Sequence, residues 1–160
     1  MWSSGPADRT LRLDDLVTTD DNRWSRSGEP TIYLSEDPAV ALAEFARHWD
    51  GRTPSALWRV RVRTEQIADL TDAPGTADAP SDPRWVLDPD QCLAVAGDLR
   101  STGLYAGIKV PSMAFLDDLS HWNLVLFADR LGSAIDHAVS IECVEHRLVA
   151  ARQVEDVPAG

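Results

Sequence analysis

From Leu57 to Arg63 the chain alternates without a break, with Trp58, Val60 and Val62 on one side and Arg59, Arg61 and Arg63 on the other. A period of two marks a strand with one packed face and one wet face. The other apolar runs are Thr31 to Ser35, Leu104 to Val110, Asn123 to Phe127, Val139 to Val144 and Arg147 to Ala151. All are of strand length, far short of the ~20 residues that span a membrane as a helix. Helical spacing occurs in two places. Asp37 is a good N-cap with Pro38 at the first helical position, and a helix is predicted from there to about Trp49, where Gly51 ends it. From Asp90 to about Thr102, Leu93, Ala96, Leu99 and Arg100 recur at helical intervals, with Gly103 as the stop. Strands outnumber helices and do not interleave with them regularly. The predicted class is therefore α+β, a compact mixed sheet with a few helices.

The 160 residues suit a single domain spanning 1–160. Residues 1–30 are polar and broken, with turn signals at Asp20-Asp21-Asn22 and Ser27-Gly28-Glu29-Pro30, and 1–20 form a polar N-terminal segment. Residues 71–83, rich in Ala, Pro, Asp and Gly, read as a loop too short to link two domains. A formal net charge of −11 repels phosphate backbones, so direct nucleic-acid binding is not expected. A small anion in a pocket with its own field, or a basic partner protein, stays compatible with that charge. The opening Met1-Trp2-Ser3-Ser4-Gly5-Pro6 lacks a basic region followed by an apolar run. Cys92 and Cys143 are too few for a disulfide framework. A cytoplasmic protein with reduced thiols and no membrane segment is expected.

The most informative residue is Glu44, the only carboxylate between Pro38 and Trp49. Val40 and Ala41 lie one turn earlier, so its flank of the helix is apolar, and a carboxylate there is costly unless something hydrogen-bonds to it. Two readings stay open on the residue alone: a structural carboxylate paired with a surface arginine, or a ligand group. Tyr33 is ordinary strand packing by default. Arg23, in Asn22-Arg23-Trp24, is by default a salt-bridge partner, and Ser112 sits after a proline at a turn.

In order, these residues form a pattern. Asn22-Arg23-Trp24-Ser25 through Gly28, then Thr31-Ile32-Tyr33-Leu34-Ser35-Glu36, then Ala41-Leu42-Ala43-Glu44, resembles the opening block of RES domains. That block reads Gly-Arg-Trp-Asn, a short gap with Gly, a Tyr-x-Ser strand and Ala-x-x-Glu on the next helix. Ile108-Lys109-Val110-Pro111-Ser112 and Asn123-Leu124-Val125-Leu126 resemble the family's Val-Pro-Ser strand end and its later Asn-led strand. The resemblance covers about residues 20–130, and the family's Arg, Glu and Ser fall on Arg23, Glu44 and Ser112. The sequence departs from the family at Asp21-Asn22, where Gly-Gly is usual, and at Ala128-Asp129, where Asn-Pro is usual.

The resemblance implies an ADP-ribosyltransferase-like core and a toxin of a toxin–antitoxin system. Its activity would be that of an NAD glycohydrolase or NAD phosphorylase, cleaving the nicotinamide N-glycosidic bond with water or inorganic phosphate. NAD enters as substrate, with no resident cofactor. Glu44 would stabilise the oxocarbenium-like transition state. Arg23 would pair with the pyrophosphate and Tyr33 would stack on the nicotinamide. Ser112 would bond the ribose or a phosphate, and Asn123 would complete the substrate-binding set. The implied partner is a helix-turn-helix antitoxin, which would itself carry any contact with DNA. Two alternatives stay in view: a mono-ADP-ribosyltransferase of a protein target, and a non-catalytic RES-like binding module. No metal is expected, since Cys92, His137, Cys143 and His146 match no zinc spacing. A Ser-His-Asp hydrolase at Ser112 lacks the Gly-x-Ser-x-Gly elbow.

Overall fold

The structure, a computed structural model, describes residues 1–6, 12–47, 55–71, 83–115, 118 and 120–146. The chain runs β1 (Trp2–Pro6), α1 (Leu13–Leu16), β2 (Val17–Thr18), β3 (Thr31–Ser35), α2 (Pro38–Ala46), β4 (Ser55–Val62) and β5 (Ile67–Asp69). A 3-10 turn (Pro83–Leu87) leads into α3 (Pro89–Thr102), followed by β6 (Gly107–Pro111) and β7 (Trp122–Phe127). The short helices α4 (Ala128–Leu131) and α5 (Ile135–Ala138) then lead to β8 (Val139–His146). One sheet takes the order β5-β6-β7-β3-β1-β4-β8, with β2 pairing beside β3. β5 and β6 are parallel and the other pairs antiparallel, so the sheet is mixed and the fold is α+β, as predicted.

The sheet's centre is buried on both faces. Ile32 and Leu34 of β3 and Leu124 and Leu126 of β7 join Leu16, Val60, Ala128 and Val139 in one core. Val125 and Phe127 face the other way, into a core with Ala96 and Leu99 of α3, Ile108 and Val110 of β6, and the Trp24–Trp85 pair. Alternate residues of a strand point to opposite faces, which is why β3 and β7 read as continuous apolar runs. In β4 the alternation survives: Trp58 and Val60 are buried while Arg59 and Arg61 are exposed, flanking Glu142 of β8.

Both ends of β3 are tied down by charge. At its start the buried Arg100 guanidinium bonds Thr31 Oγ1 and the Pro30 carbonyl, pairs with Asp129 and lies over the Phe127 ring. At its end, Asp37 accepts the N–H groups of Ala39 and Val40 and starts α2 as predicted.

Several elements differ from the sequence reading. The segment taken as polar and broken contributes β1, which lies inside the sheet and pairs with β4 from Trp2↔Arg59 to Pro6↔Ser55. Trp-Ser-Ser-Gly-Pro has no apolar alternation to announce it. Its small residues make room instead: a Cβ at Gly5 would come 2.9 Å from the Trp58 ring. α2 stops at Ala46, with Arg47 as its cap, rather than running to about Trp49, and Gly51 lies outside the described residues. β6 starts at Gly107 rather than Leu104, which is exposed. β8 runs on to His146, past the expected Val144. The strand expected at 147–151 and most of the 71–83 loop lie outside the described residues. α3 matches closely, from the Asp88 cap to left-handed Gly103 (φ 70°).

Gly107 of β6 pairs with Leu126 of β7, and an added Cβ would collide with the Val125 carbonyl oxygen. Gly107→Ala is expected to destabilise the fold by about 1–3 kcal/mol or more. Denaturant unfolding should show this as a lower midpoint at unchanged slope.

Candidate active site

β1 and β3 pair at a single position, Trp2↔Ser35, whereas β1 and β4 pair along their length. Beside that thin seam lies a cleft of about 690 Å³, within the ~300–1,000 Å³ usual for small-molecule sites. Trp2, Ser3 and Ser4 of β1 form one wall, and Tyr33 and Ser35 of β3 with Asn123 of β7 form another. Ser35 pairs with Asn123 and Tyr33 with Val125, so these side chains share one face of the sheet. Helix α2 supplies Ala41, Glu44 and Phe45, and is held against β1 by the Ser4 hydroxyl, which donates to the Ala41 carbonyl at 2.7 Å.

Glu44 occupies the flank of α2 shared with buried Val40 and Ala41, as the spacing implied. The carboxylate there is fully bonded. Its Oε1 accepts from Ser112 Oγ at 2.7 Å, Asn123 Nδ2 at 2.8 Å and the Ala114 N–H at 3.2 Å. Its Oε2 accepts from Arg47 Nη1 at 2.9 Å. Burial pushes the Glu44 pKa up, but the bonds from Ser112, Arg47 and Asn123 and the Arg47 charge outweigh it, so the group sits below its ordinary value. Glu44 is therefore ionised at neutral pH, with one oxygen immobilised by the end of the sheet.

Four of the five residues singled out in the sequence, Arg23, Tyr33, Glu44 and Asn123, line this cleft. Arg23 rides on the turn closed by the Asn22–Ser25 bridge and donates from Nη1 to the Val86 carbonyl at 2.8 Å. Tyr33 bonds Ser25 through its hydroxyl at 3.0 Å, leaving its ring on the cleft wall, and burial holds the phenol above its usual pKa. Ser112 is placed differently from the expected ligand contact. It is fully buried beneath α2, its N–H bonds the His121 carbonyl, and its hydroxyl is committed to Glu44. The antiparallel turn from β6 towards β7 aims Ser112 at the helix rather than at the cleft.

The sequence reading missed Arg47 as a cleft residue. The i,i+3 interval from Glu44 was the available signal. The Ala114 N–H and the β1 wall had none, because only the tertiary fold brings them here. Among the described residues, Glu36, Asp37 and His121 bring metal-type ligand atoms within 4.8 Å of one another. Their bonds are already internal: Glu36 accepts from Trp122 N–H and contacts His121 Nδ1, and Asp37 caps α2. Of the cysteines and histidines considered above, Cys92 is a buried free thiol bonded to the Val86 carbonyl, and the side chains of Cys143 and His146 lie outside the described residues.

Fold and site together define an α+β domain whose cleft is organised around one ionised carboxylate, with two guanidinium groups on its lining. A sequence model of the RES domain matches residues 12–149, and the chain belongs to that family. No curated protein matches it. Family membership supports an NAD-related, toxin-type enzymatic role in general terms. No described helix is long and apolar enough to cross a membrane.

Ser112→Ala removes the shortest bond to Oε1. A hydrogen bond to a charged group contributes about 1.5–3 kcal/mol, and a loss of that size is expected at neutral pH. Because the folded Glu44 pKa is depressed, the stabilisation is present above the ordinary carboxylate range and is lost as pH falls through the folded value. Chemical unfolding of both proteins should therefore show the gap narrowing in acid.

Proposed function

We propose that this protein is a toxin that degrades NAD by breaking the bond between ribose C1′ and the nicotinamide nitrogen. The bonding electrons leave with neutral nicotinamide. Water or inorganic phosphate adds to C1′ and gives up a proton, yielding ADP-ribose or its 1-phosphate. The reading places the fold alongside the ADP-ribosyltransferases and puts the protein in the cytoplasm, with a helix-turn-helix antitoxin as the partner that blocks the cleft.

The observation that carries it is the Glu44 carboxylate, ionised, pinned through Oε1 and set on the wall of a cleft large enough for a small-molecule ligand. Breaking an N-glycosidic bond builds positive charge on the ribose, and a fixed carboxylate stabilises that charge without having to reorganise. Ser112 and Asn123 hold Glu44 in place. Arg23 offers a guanidinium fork to the pyrophosphate, and the Tyr33 ring offers a face to the nicotinamide. Arg23 and Arg47 line the cleft beside Asp21 and Glu44, so the charges of the lining balance while the chain as a whole carries −11.

Incubating the pure protein with NAD, with and without phosphate, and identifying the products tests this. Nicotinamide release is expected, and its absence from folded, antitoxin-free protein would sink the reading. Label transferred to protein would instead identify a protein acceptor. Glu44→Gln keeps the shape but loses the charge, and should lower turnover by about a hundredfold or more with a smaller change in NAD affinity. Arg23→Lys keeps the charge but loses the fork. It should weaken NAD binding by about 1.5–3 kcal/mol in titration calorimetry.

A further inference from the structure

The two oxygens of Glu44 are held in different ways. Oε1 is bound by three donors from the β6 and β7 ends, one of them a backbone N–H and another the fully buried Ser112 hydroxyl. Oε2 is bound by one, Nη1 of Arg47, on a side chain that is 37% exposed at the C-cap of α2. Both residues line the cleft, whose other charged lining residues are Asp21 and Arg23. Arg23 is anchored to the Val86 carbonyl, whereas the Arg47 guanidinium bonds only Glu44 among the described residues.

We propose that Arg47 is an anion-responsive cap on Glu44: a phosphoryl group entering the cleft draws the guanidinium off Oε2 and uncovers the carboxylate for the ribose. The ribose step rests on the NAD-degrading reading above, but the exchange of Arg47 between carboxylate and phosphoryl oxygens does not. An exposed i,i+3 ion pair is weak, and here the guanidinium makes a single bond to the carboxylate. A phosphoryl group offers two parallel acceptors to the planar fork and up to two charges, so it competes well for the same side chain. Losing Arg47 leaves Oε1 with all three of its donors, which keep the carboxylate charged and in place. The free protein thus holds its carboxylate neutralised and covered, and the anion that arrives with the substrate exposes it. The phosphoryl group belongs either to the dinucleotide or to free inorganic phosphate.

Calorimetric titration of the whole chain with inorganic phosphate alone, and with NAD in phosphate-free buffer, separates these sources for wild type, Arg47→Gln and Arg47→Lys. Arg47→Gln is expected to weaken one of the two by roughly tenfold or more, and Arg47→Lys by an intermediate factor. Equal affinities across the three proteins, with melting temperatures showing them folded, would overturn the assignment. In turnover assays the loss should fall on KM for the same anion more than on kcat. A loss confined to kcat would make Arg47 only a brace for Glu44 and would also overturn the proposal. A protein that captures phosphate through Arg47 yet releases no nicotinamide would refute the NAD-degrading reading and leave the Arg47 assignment standing.

Discussion

A carboxylate set against an apolar helix flank must be given hydrogen bonds or lose its charge, and much of this structure's arrangement follows from how Glu44 is satisfied. Its donors come from the end of β6 and the start of β7, which lie side by side because Pro111 pairs with Trp122 and Val110 with Asn123. Helix α2 is brought over them by the Asp37 cap and by Ser4, which ties the helix to β1. The bonds from Ser112, Ala114 and Asn123 that help keep Glu44 ionised thus also dock α2 on the sheet, while the Arg47 bond stays within the helix end. Stability and the charge at the cleft are one interaction seen twice.

Arg100 does for the start of β3 what Glu44 does for its end. One buried cation bonds Thr31, opposite Phe127, and one largely buried anion bonds Asn123, opposite Ser35. Between them the strand is apolar on one face and carries Tyr33 on the other. Removing Asp129 would strand the Arg100 cation in the interior, whereas Glu44 keeps three donors on Oε1 whatever becomes of Arg47, so both ends of the strand resist displacement. A strand held in this way gives the cleft a rigid wall, while the single-pair seam with β1 leaves room beside it.

The acidity of the chain and the character of the cleft are separate facts. A net charge of −11 governs long-range encounters and disfavours polyanions. At contact distance a small anion meets Arg23 and Arg47 beside Asp21 and Glu44, and Arg47 is shared with Glu44. Screening makes the distant charges matter less than the near ones.

The alternation of β4, the Asp37 cap of α2, the Gly103 stop of α3, the α+β class and the apolar flank on which Glu44 sits were all legible in the sequence. Each depends on neighbours within a turn or two, where spacing and side-chain chemistry act directly. The ordered set of Arg23, Tyr33, Glu44, Ser112 and Asn123 was legible too, as a pattern shared with RES domains. What local spacing could not supply was contact across distance in the chain. β1 has no apolar alternation, and its place between β3 and β4 comes from backbone pairing with strands distant in the sequence, Ser35 of β3 and Ser55 to Arg59 of β4. On its own Ser112 read as an ordinary turn serine, and only the resemblance implied a contact with the ribose or a phosphate. Only the pairing of β6 with β7 decided that its hydroxyl lies under α2, bonded to the Glu44 carboxylate. Local chemistry selected the residues; long-range backbone pairing determined which of them touch one another and which face the cleft.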